Sequence, residues 1–378
     1  MGASGARASL CQRAAATRQA PASPDFVYPR SSPVIVCCCS CVEPWPCIPF
    51  RGLSRSLASL TPSASGIAQT PDIHIQGSTT TMVRGQLTED EIAWRDRQPW
   101  LEEHGYMLRP RYRQDWKPSW EGTTKSHLSC EDGRMLRHPH IIDATRILDG
   151  ALVTLKMIEH SVHPYEVEIA RMFCEEPMKS DPRNHCVQIL EVLQDPIEQD
   201  ISIIIMPILK AYHRPRFDTV GEAVDFFRQT LEGLQFIHQH RIAHRDISML
   251  NVMMDPLPLY PKLYHPTDDT MTRDFSRSVR PYTRTERPTR YYFIDFGLSR
   301  KYGPEDEHPL ELPIFGGDKT VPEFQDDGYD KASDPFATDI YYLGNRFREE
   351  FLKVASVHCS VWPYANIDID VLGARILE

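Results

Sequence analysis

The segment HRDISMLN, from His244 to Asn251, places a carboxylate and a carboxamide five residues apart. The carboxylate of Asp246 can accept the proton of a hydroxyl group, and the amide oxygen of Asn251 can bind Mg²⁺ held on phosphate groups. Transfer of a phosphoryl group asks a protein for little covalent work beyond these tasks. The segment therefore suits phosphoryl transfer, although a polar loop that follows an amphipathic helix would also fit it.

A second carboxylate stands at the end of an apolar run, the predicted strand Tyr291 to Ile294. Asp295 begins the sequence Asp-Phe-Gly, and a carboxylate at a strand end can bind a Mg²⁺ ion that bridges the β- and γ-phosphates. We expect Gly297 to allow a sharp turn of the chain there. Asp-Phe-Gly is common by chance, so its weight comes from its position after the first segment and behind an apolar strand.

A lysine, Lys156, ends the run VTLK inside a predicted strand. An unpaired charge inside an apolar strand is costly, so this lysine needs a partner. Glu166 is the preferred candidate. Glu168 is the alternative, but two positions further along a helix it would face about 200° away. A lysine of an edge strand that extends its ammonium group into solvent is the structural alternative.

The elements that must position these residues can be predicted in order along the chain. A helix begins after Thr88, which forms a capping box with Glu91. A β-hairpin around the turn Asp149-Gly150, a short helix and two β-rich runs come next. Their residues are 141–148 and 151–158 for the hairpin strands, about 165–173 for the helix, and 186–193 and 201–209 for the β-rich runs.

The second half of the chain is predicted to be mainly helical. A helix spans about 219–239, with Thr219 and Glu222 as its capping box. Its predicted apolar stripe consists of Val220, Val224, Phe227, Leu231 and Leu234. A proline-rich insert fills residues 256–290, and a last helix begins near Asp339. Strands first and helices later predict an α+β protein with two unlike lobes.

Two further segments complete five landmarks along the chain. Thr320 to Glu323 resembles the Ala-Pro-Glu element of protein kinases, and Asp339 to Gly344 resembles their Asp-x-Trp-Ser-x-Gly element. Together with the three segments above, they resemble the eukaryotic protein-kinase family, and are closest to the fungal protein-kinase-like proteins, over about residues 85–352. The resemblance implies a bilobal α+β fold, with a small β-rich N-terminal lobe and a helical C-terminal lobe.

The resemblance also implies roles for the residues of these segments. Asp246 would be the catalytic base, and Asn251 and Asp295 would hold Mg²⁺. Lys156 would bind the phosphates of ATP and pair with Glu166. ATP and Mg²⁺ are thus the implied cofactors, and a protein of unknown identity is the implied substrate.

Further implied roles lie around the cleft between the lobes. Residues 207–209 would form the hinge against adenine, with Ile208 in contact with the nucleotide and Met206 guarding the pocket. Arg245 would meet a phosphorylated residue of the activation segment. Thr320 is a candidate for that phosphorylated residue, with an ordinary surface threonine as the alternative.

The sequence departs from the family pattern around the lysine and the catalytic loop. No Gly-x-Gly-x-x-Gly precedes Lys156, and only Gly122 and Gly133 fall in the expected window. Ser248 stands where serine/threonine kinases usually carry lysine, so a cation that would stabilise the transferring phosphoryl group is missing. Both departures favour weaker nucleotide binding or weaker transfer.

The insert is a third departure. About 43 residues separate Asn251 from Asp295, against roughly a dozen in ordinary kinases of this pattern. The insert is a docking element or, alternatively, a solvated loop. It carries six arginines: Arg273, Arg277, Arg280, Arg284, Arg287 and Arg290.

The chain is expected to divide into four parts. These are a disordered leader at 1–81, an N-terminal extension with the small lobe at 82–210, a partial large lobe at 211–352, and an atypical tail at 353–378. The chain stops about 34 residues after Gly344, so we expect the C-terminal part of the large lobe to be missing. Glu323 would then be a buried carboxylate without its arginine partner. In the leader, the run Cys37 to Cys41 could bind a metal or be acylated.

Composition limits the class of function further. The 378 residues carry a formal net charge of -10, with a pI of about 5.8, which argues against a nucleic-acid partner. No apolar run approaches the roughly 20 residues that span a bilayer. Six of the ten cysteines lie in the first 47 residues and the others are scattered, which favours a reduced, intracellular protein of the cytoplasm or nucleus.

Three hypotheses follow for the function. The first is a protein kinase acting on serine or threonine, and it is favoured by the presence of Asp246, Asn251, Asp295 and Lys156. The second is a pseudokinase or scaffold with weak or no transfer activity, favoured by Ser248 and by the missing glycine-rich loop. The third is a truncated product without stable activity. Tyrosine specificity also stays open.

Overall fold

The computed structural model describes residues 85–315 and 317–353, and these form a mixture of helices and strands. The α-helices are α1 (Glu89–Glu103), α2 (Glu166–Met172), α3 (Val220–Gln239) and α4 (Pro335–Phe347). The strands are β1 (Tyr106–Leu108), β2 (Ile141–Arg146), β3 (Leu152–Glu159), β4 (Glu191–Gln194), β5 (Ile201–Pro207), β6 (Lys210–Ala211), β7 (Ile242–Ala243), β8 (Val252–Met254), β9 (Tyr291–Phe293) and β10 (Arg300–Lys301).

A curled antiparallel sheet of five strands, in the order β1-β2-β3-β5-β4, occupies the N-terminal half of this region. Its central strand β3 pairs Leu155 with Ile142 of β2 on one side and with Ile205 of β5 on the other. Successive residues of a strand point to opposite faces. Ile205 therefore packs in the cluster that contains Trp94 of α1, while Ile204 belongs to a second, larger core cluster.

The first helix begins as the sequence predicts. The Thr88 hydroxyl accepts a hydrogen bond from the backbone N–H of Glu91, and the Glu91 carboxylate accepts one from the backbone N–H of Thr88. This capping box satisfies two N–H groups that the helix leaves unpaired. Glu91 is also fully buried against the guanidinium of Arg111, which lies in the segment that follows β1.

The predicted apolar stripe of α3 lies at one edge of the buried face: Leu234 is buried, and Phe227 and Leu231 pack against the larger core cluster. Val220 and Val224 are 46% and 49% exposed, whereas Ala223, Phe226 and Ile237 are buried. Phe226 packs against Tyr291 of β9, with a centroid separation of 4.9 Å, and this neighbour decides which face turns inward. The N-cap Thr219 is confirmed, but the Glu222 carboxylate accepts from the N–H of Asp218 instead of closing a box with Thr219.

Three predicted element boundaries are wrong. The first hairpin strand ends at Arg146, because residues 147–149 already form the turn. Of the β-rich run 186–193, only its end belongs to a strand, β4. The last helix begins at Pro335, four residues before Asp339, because the Asp334 carboxylate accepts hydrogen bonds from the N–H groups of Phe336 and Ala337.

The insert, residues 256–290, packs against the body of the protein over part of its length, while residues 273–274, 276–278 and 280–282 are exposed. Its side chains Leu259, Tyr260, Tyr264, His265 and Arg284 are buried. The Arg284 guanidinium donates hydrogen bonds to the carbonyl oxygens of residues 212, 215 and 216. A guanidinium carries five donors and can therefore replace backbone pairing in a region without regular structure.

The insert also contacts the connecting segment, residues 109–140, which joins β1 to β2. Arg134 and Asp268 form an ion pair of 3.0 Å. The ring of His265 lies 3.0 Å from the Glu131 carboxylate. Arg137 donates to the carbonyl oxygen of Thr267 at 2.6 Å. The insert thus reaches from the region of β8 and β9 to the five-stranded sheet.

Parts of the chain named above lie outside the described residues. These are the leader at 1–81 with its Cys37 to Cys41 run, and nearly all of the tail at 353–378. The division at about residue 210 stays a prediction. In the part of the chain that is described, no helix is both long and apolar enough to cross a membrane.

Candidate active site

Lys156 lies on β3 and its ammonium group contacts two carboxylates. Its Nζ atom is 2.6 Å from Oε1 of Glu166 and 2.8 Å from Oδ1 of Asp295. Glu166 is the first residue of α2 and is buried, whereas Glu168 is exposed and lines a separate surface cavity of about 440 Å³. The partner preferred from the sequence is therefore the one in contact, and the edge-strand alternative is excluded because β3 lies inside the sheet.

The three charged groups are in direct contact and shift one another's pKa values. Burial disfavours the charged form of Lys156, but Asp295 and Glu166 outweigh it and raise the pKa of the ammonium group. Burial also disfavours the charged carboxylate of Asp295, but Lys156 outweighs it and lowers the pKa. For Glu166, burial prevails and the pKa is raised. Its second oxygen, Oε2, is buried without a hydrogen-bond partner among the described residues.

Asp246 and Asn251 meet in the loop between β7 and β8. The amide nitrogen of Asn251 donates to Oδ2 and to the backbone oxygen of Asp246, both at 2.8 Å. This leaves the amide oxygen of Asn251 available to a cation. The two groups predicted to act together are thus joined by direct hydrogen bonds.

The loop that carries Asp246 is anchored by Asp339 of α4, a role that sequence analysis missed. The fully buried carboxylate of Asp339 accepts hydrogen bonds from the backbone N–H groups of His244 and Arg245, both at 2.7 Å. The ring of His238 lies 3.0 Å from the same carboxylate. Arg245 has a φ of 68°, a conformation that needs such external support. The motif at Asp339 could have signalled this contact, but it predicted only a helix start.

The environment of Asp246 favours its protonated form relative to an ordinary aspartate. Burial raises the pKa of this carboxyl group, and the Asp295 carboxylate raises it further. His244 and the hydrogen bond from Asn251 act in the opposite direction. A carboxylate with a raised pKa is a better proton acceptor, provided that it is ionised at the working pH.

The Asp-Phe-Gly turn places Asp295 in a left-handed conformation, with a φ of 65°. Phe296 is buried and packs against Phe173, with ring centroids 5.6 Å apart. Gly297 does not have a positive φ, so the backbone conformation of the turn does not explain why glycine stands here. A Cβ atom at Gly297 would lie 2.7 Å from Nδ1 of His163 and 3.0 Å from Oε2 of Glu166. A larger residue at this position would force the His163 ring or the Glu166 carboxylate to move.

The donor set is compatible with Mg²⁺. The Asn251 amide and the Asp295 carboxylate supply hard oxygen ligands, and the Asp295 side chain is 40% exposed and so accessible. Mg²⁺ is usually held by one or two carboxylates together with phosphate oxygens. The Lys156 ammonium beside Asp295 would add a positive charge for the phosphates.

The residues expected around adenine lie where β5 leaves the sheet. Met206 is buried, pairs with Thr154 of β3, and belongs to the larger core cluster. Ile208 is half-buried and lies between β5 and β6. In place of a glycine-rich loop, β1 and β2 are joined by the connecting segment, where Gly133 forms part of a 3₁₀ turn packed against His127.

Arg245 already has an acidic partner in the segment after Gly297. Its guanidinium lies 3.2 Å from Oε2 of Glu311 and donates to the carbonyl oxygen of Leu312 at 3.0 Å. Thr320, the candidate phosphorylated residue, instead donates its hydroxyl to Asp318 at 2.7 Å. Glu323 is exposed, so the prediction of a buried carboxylate without a partner is wrong.

Comparison with known proteins supports a kinase-like relationship over part of the chain. No protein-family model matches the sequence. A stretch of 72 residues, 18% of this chain, is 35% identical to the serine/threonine-protein kinase CAK1 of Saccharomyces cerevisiae and covers 19% of it. A stretch of 115 residues, 30% of this chain, is 25% identical to a putative ribosomal protein S6 kinase alpha-2 of Caenorhabditis elegans and covers 14% of it. The chain thus spans less than a fifth of either curated relative.

Proposed function

We propose that this protein is a protein kinase that transfers the γ-phosphoryl group of Mg·ATP to a serine or threonine hydroxyl of a protein substrate. The observation that carries the proposal is the contact of Lys156 with both Glu166 and Asp295. In protein kinases the lysine–glutamate pair and the metal-binding aspartate must both be in place for transfer. The five-stranded sheet would be the small lobe of a bilobal fold, and residues from 211 onward the large lobe.

The residues of the site would divide the tasks of the reaction among them. Asp246 would accept the proton of the substrate hydroxyl, and the hydrogen bonds from Asn251 would orient it. Lys156 would bind the phosphates. Asn251 and Asp295 would hold Mg²⁺, which, when bound, neutralises charge on the phosphate oxygens. Met206 and Ile208 would face the adenine ring.

A second candidate function is that of a pseudokinase, a scaffold that keeps the fold without efficient transfer. Among the described residues, no lysine or arginine forms an ion pair with Asp246. The Ser248 hydroxyl, where a lysine is usual, accepts a hydrogen bond from the N–H of Leu250. The absence of that cation would raise the barrier to transfer but would leave nucleotide binding intact.

The proposal is tested by thermal melts of the full-length protein with ATP, with Mg²⁺, and with both. A ligand that binds only the folded state raises the melting temperature by an amount set by its concentration relative to Kd. We expect ATP to raise the melting temperature when Mg²⁺ is present, and this dependence on Mg²⁺ to be lost in Asp295→Ala. A cooperative melt that neither ligand changes would contradict nucleotide binding.

Transfer to a generic protein substrate then separates the two functions. Wild type should transfer the γ-phosphoryl group, whereas Asp246→Ala should bind Mg·ATP and not transfer it. Binding without transfer in the wild type would favour the pseudokinase.

A further inference from the structure

His163 lies in the connection between β3, which carries Lys156, and α2, which carries Glu166. Its backbone N–H donates to the carbonyl oxygen of Glu159 at 2.8 Å, so the residue is fixed at the end of the strand. Its ring atom Nδ1 lies 3.1 Å from the carbonyl oxygen of Gly297. A carbonyl oxygen can only accept a hydrogen bond, so Nδ1 must carry the proton in this contact.

The contact falls on the turn that carries Asp295. The backbone N–H of Gly297 donates to Oδ1 of Asp295 at 3.3 Å, and the same oxygen accepts from Lys156. A Cβ atom at Gly297 would lie 2.7 Å from Nδ1 of His163, so the ring and the turn are in close contact. Gly297 is thus held on both sides: its N–H binds the carboxylate of Asp295, and its carbonyl oxygen, in the next peptide unit, binds His163.

The turn needs support from outside. Asp295 has a left-handed φ, which only a few per cent of residues other than glycine adopt, although aspartate adopts it more often than most. Such a conformation persists only where the surrounding structure holds it. Phe296 supplies one support by packing against Phe173. The hydrogen bond from His163 supplies a second support. It acts at Gly297, which follows Asp295, whereas β9 precedes it.

We propose that His163 is a positioning residue: by binding the Gly297 carbonyl oxygen it holds the Asp295 carboxylate in the orientation that Lys156 and the metal ion require. This role rests on the proposed function, in which Asp295 holds Mg²⁺. His163 itself does not touch the reacting atoms. It links the strand of Lys156 and the helix of Glu166 to the turn of Asp295, so that the three charged groups keep one arrangement.

The test compares two substitutions at position 163 in the full-length protein. His163→Leu removes the donor, whereas His163→Asn keeps an N–H donor the same number of bonds from Cα as Nδ1. His160→Leu is the matched control, because His160 lies in the same connection but contacts Ser202 instead of the turn. His163→Ala carries the same expectation as His163→Leu and replaces it if the leucine variant does not melt cooperatively.

The first measurement is the Mg²⁺ concentration that gives half of the ATP-dependent rise in melting temperature. Loss of a group that orients a metal ligand typically costs 10–100-fold in metal affinity, so we expect His163→Leu to raise this concentration about tenfold. His163→Asn should restore a value close to wild type, and His160→Leu should not change it. Equal Mg²⁺ requirements in His163→Leu and wild type would overturn the proposal.

The second measurement is amide hydrogen exchange of residues 295–298 in the protein free of metal and nucleotide. We expect faster exchange in His163→Leu and wild-type exchange in His163→Asn. Unchanged exchange in His163→Leu would show that the contact does not hold the turn. If wild type itself shows no Mg²⁺-dependent binding, the proposed function fails, while this measurement still decides whether His163 holds the turn.

Discussion

Two regions of this molecule are built from charged side chains, and they differ in depth. In the cleft, the side chains of Lys156 and Glu166 are 13% and 2% exposed. Where the insert meets the connecting segment, Arg134 and Asp268 are 28% and 21% exposed. Charges that are partly in water gain little from pairing, whereas a buried charge that loses its partner is strongly destabilising. The depth of each region therefore sets how strongly a single substitution should act.

The connecting segment contains both kinds of charged contact, a buried ion pair at one end and partly exposed contacts further along. At one end, Arg111 is fully buried against Glu91, with two N–H groups directed at its carboxylate. Further along, Glu131, Arg134 and Arg137 meet the insert near the surface. We infer that the segment is held to α1 by its first turn, and that the insert adds weaker contacts along the rest.

The largest effect is expected from Asp246→Asn in the cleft. The substitution preserves shape and removes the proton acceptor, so phosphoryl transfer should fall about 10²–10⁴-fold, the usual contribution of general base catalysis. The rate of transfer from ATP is the measurement, and the melting temperature should change little. Asp274→Asn is the matched control, because Asp274 is exposed and its hydrogen bonds to other described residues stay within its own turn. Transfer by Asp246→Asn at the wild-type rate would remove Asp246 from the mechanism.

The same carboxylate should set the acid limb of the pH–rate profile. Burial and the nearby Asp295 raise the pKa of Asp246, and the residue must be ionised to accept a proton. Activity should therefore be lost as the pH falls through the raised pKa, above the value of about 3.9 for an ordinary aspartate. The profile of kcat/KM, recorded beside circular dichroism to confirm folding, measures this. A flat profile down to pH 4 in folded protein would contradict it.

Arg111→Met should produce the largest loss of stability. It leaves the Glu91 carboxylate buried without its counter-charge, which typically costs about 3–5 kcal/mol of unfolding free energy. Urea unfolding measures the loss, and Arg95→Met, which breaks an exposed pair with Asp96, is the control. A loss no greater than that of the control would show that depth does not decide the effect.

Part of this picture was predictable from the sequence. The contact of Lys156 with Glu166 and the cap at Thr88 follow from short-range patterns, because a few neighbouring residues determine them. The stripe on α3 was predicted wrongly at Val220 and Val224, since the aromatic residues of β9 that pack against the buried face are remote in sequence. Periodicity shows that a face exists, and only the neighbours fix its phase.

Contacts between distant segments were the least predictable. His265 and Glu131 are separated by 134 positions, and nothing local in either sequence indicates that they meet. The anchoring of the Asp246 loop by Asp339 also joins remote segments. In both cases the contact depends on the path that a long loop takes across the fold. The hydrophobic pattern does not encode that path.

A smaller effect is expected at Glu311, which pairs with Arg245. Hydrogen bonds to charged groups contribute about 1.5–3 kcal/mol, so Glu311→Gln should lower transfer about tenfold or somewhat more. Because an acidic residue already occupies the position opposite Arg245, treatment of the wild type with a phosphatase should leave its activity unchanged. The control is Thr320→Ala, which should transfer at a rate close to wild type. Loss of activity on phosphatase treatment would assign the partner of Arg245 to a phosphorylated residue instead.

The smallest effect is expected where the insert meets the connecting segment. A double-mutant cycle of Arg134→Ala and Asp268→Ala should give a coupling energy of about 0.2–1 kcal/mol, as for partly exposed ion pairs. Since such pairs are screened by salt, the coupling should decrease between low and high ionic strength. Urea unfolding of the wild type, the two single variants and the double variant supplies the four free energies. A coupling above about 2 kcal/mol that does not respond to salt would mean that the pair behaves as a buried one. The insert would then hold the sheet as firmly as Arg111 holds the connecting segment to α1, and exposure would no longer distinguish the two regions.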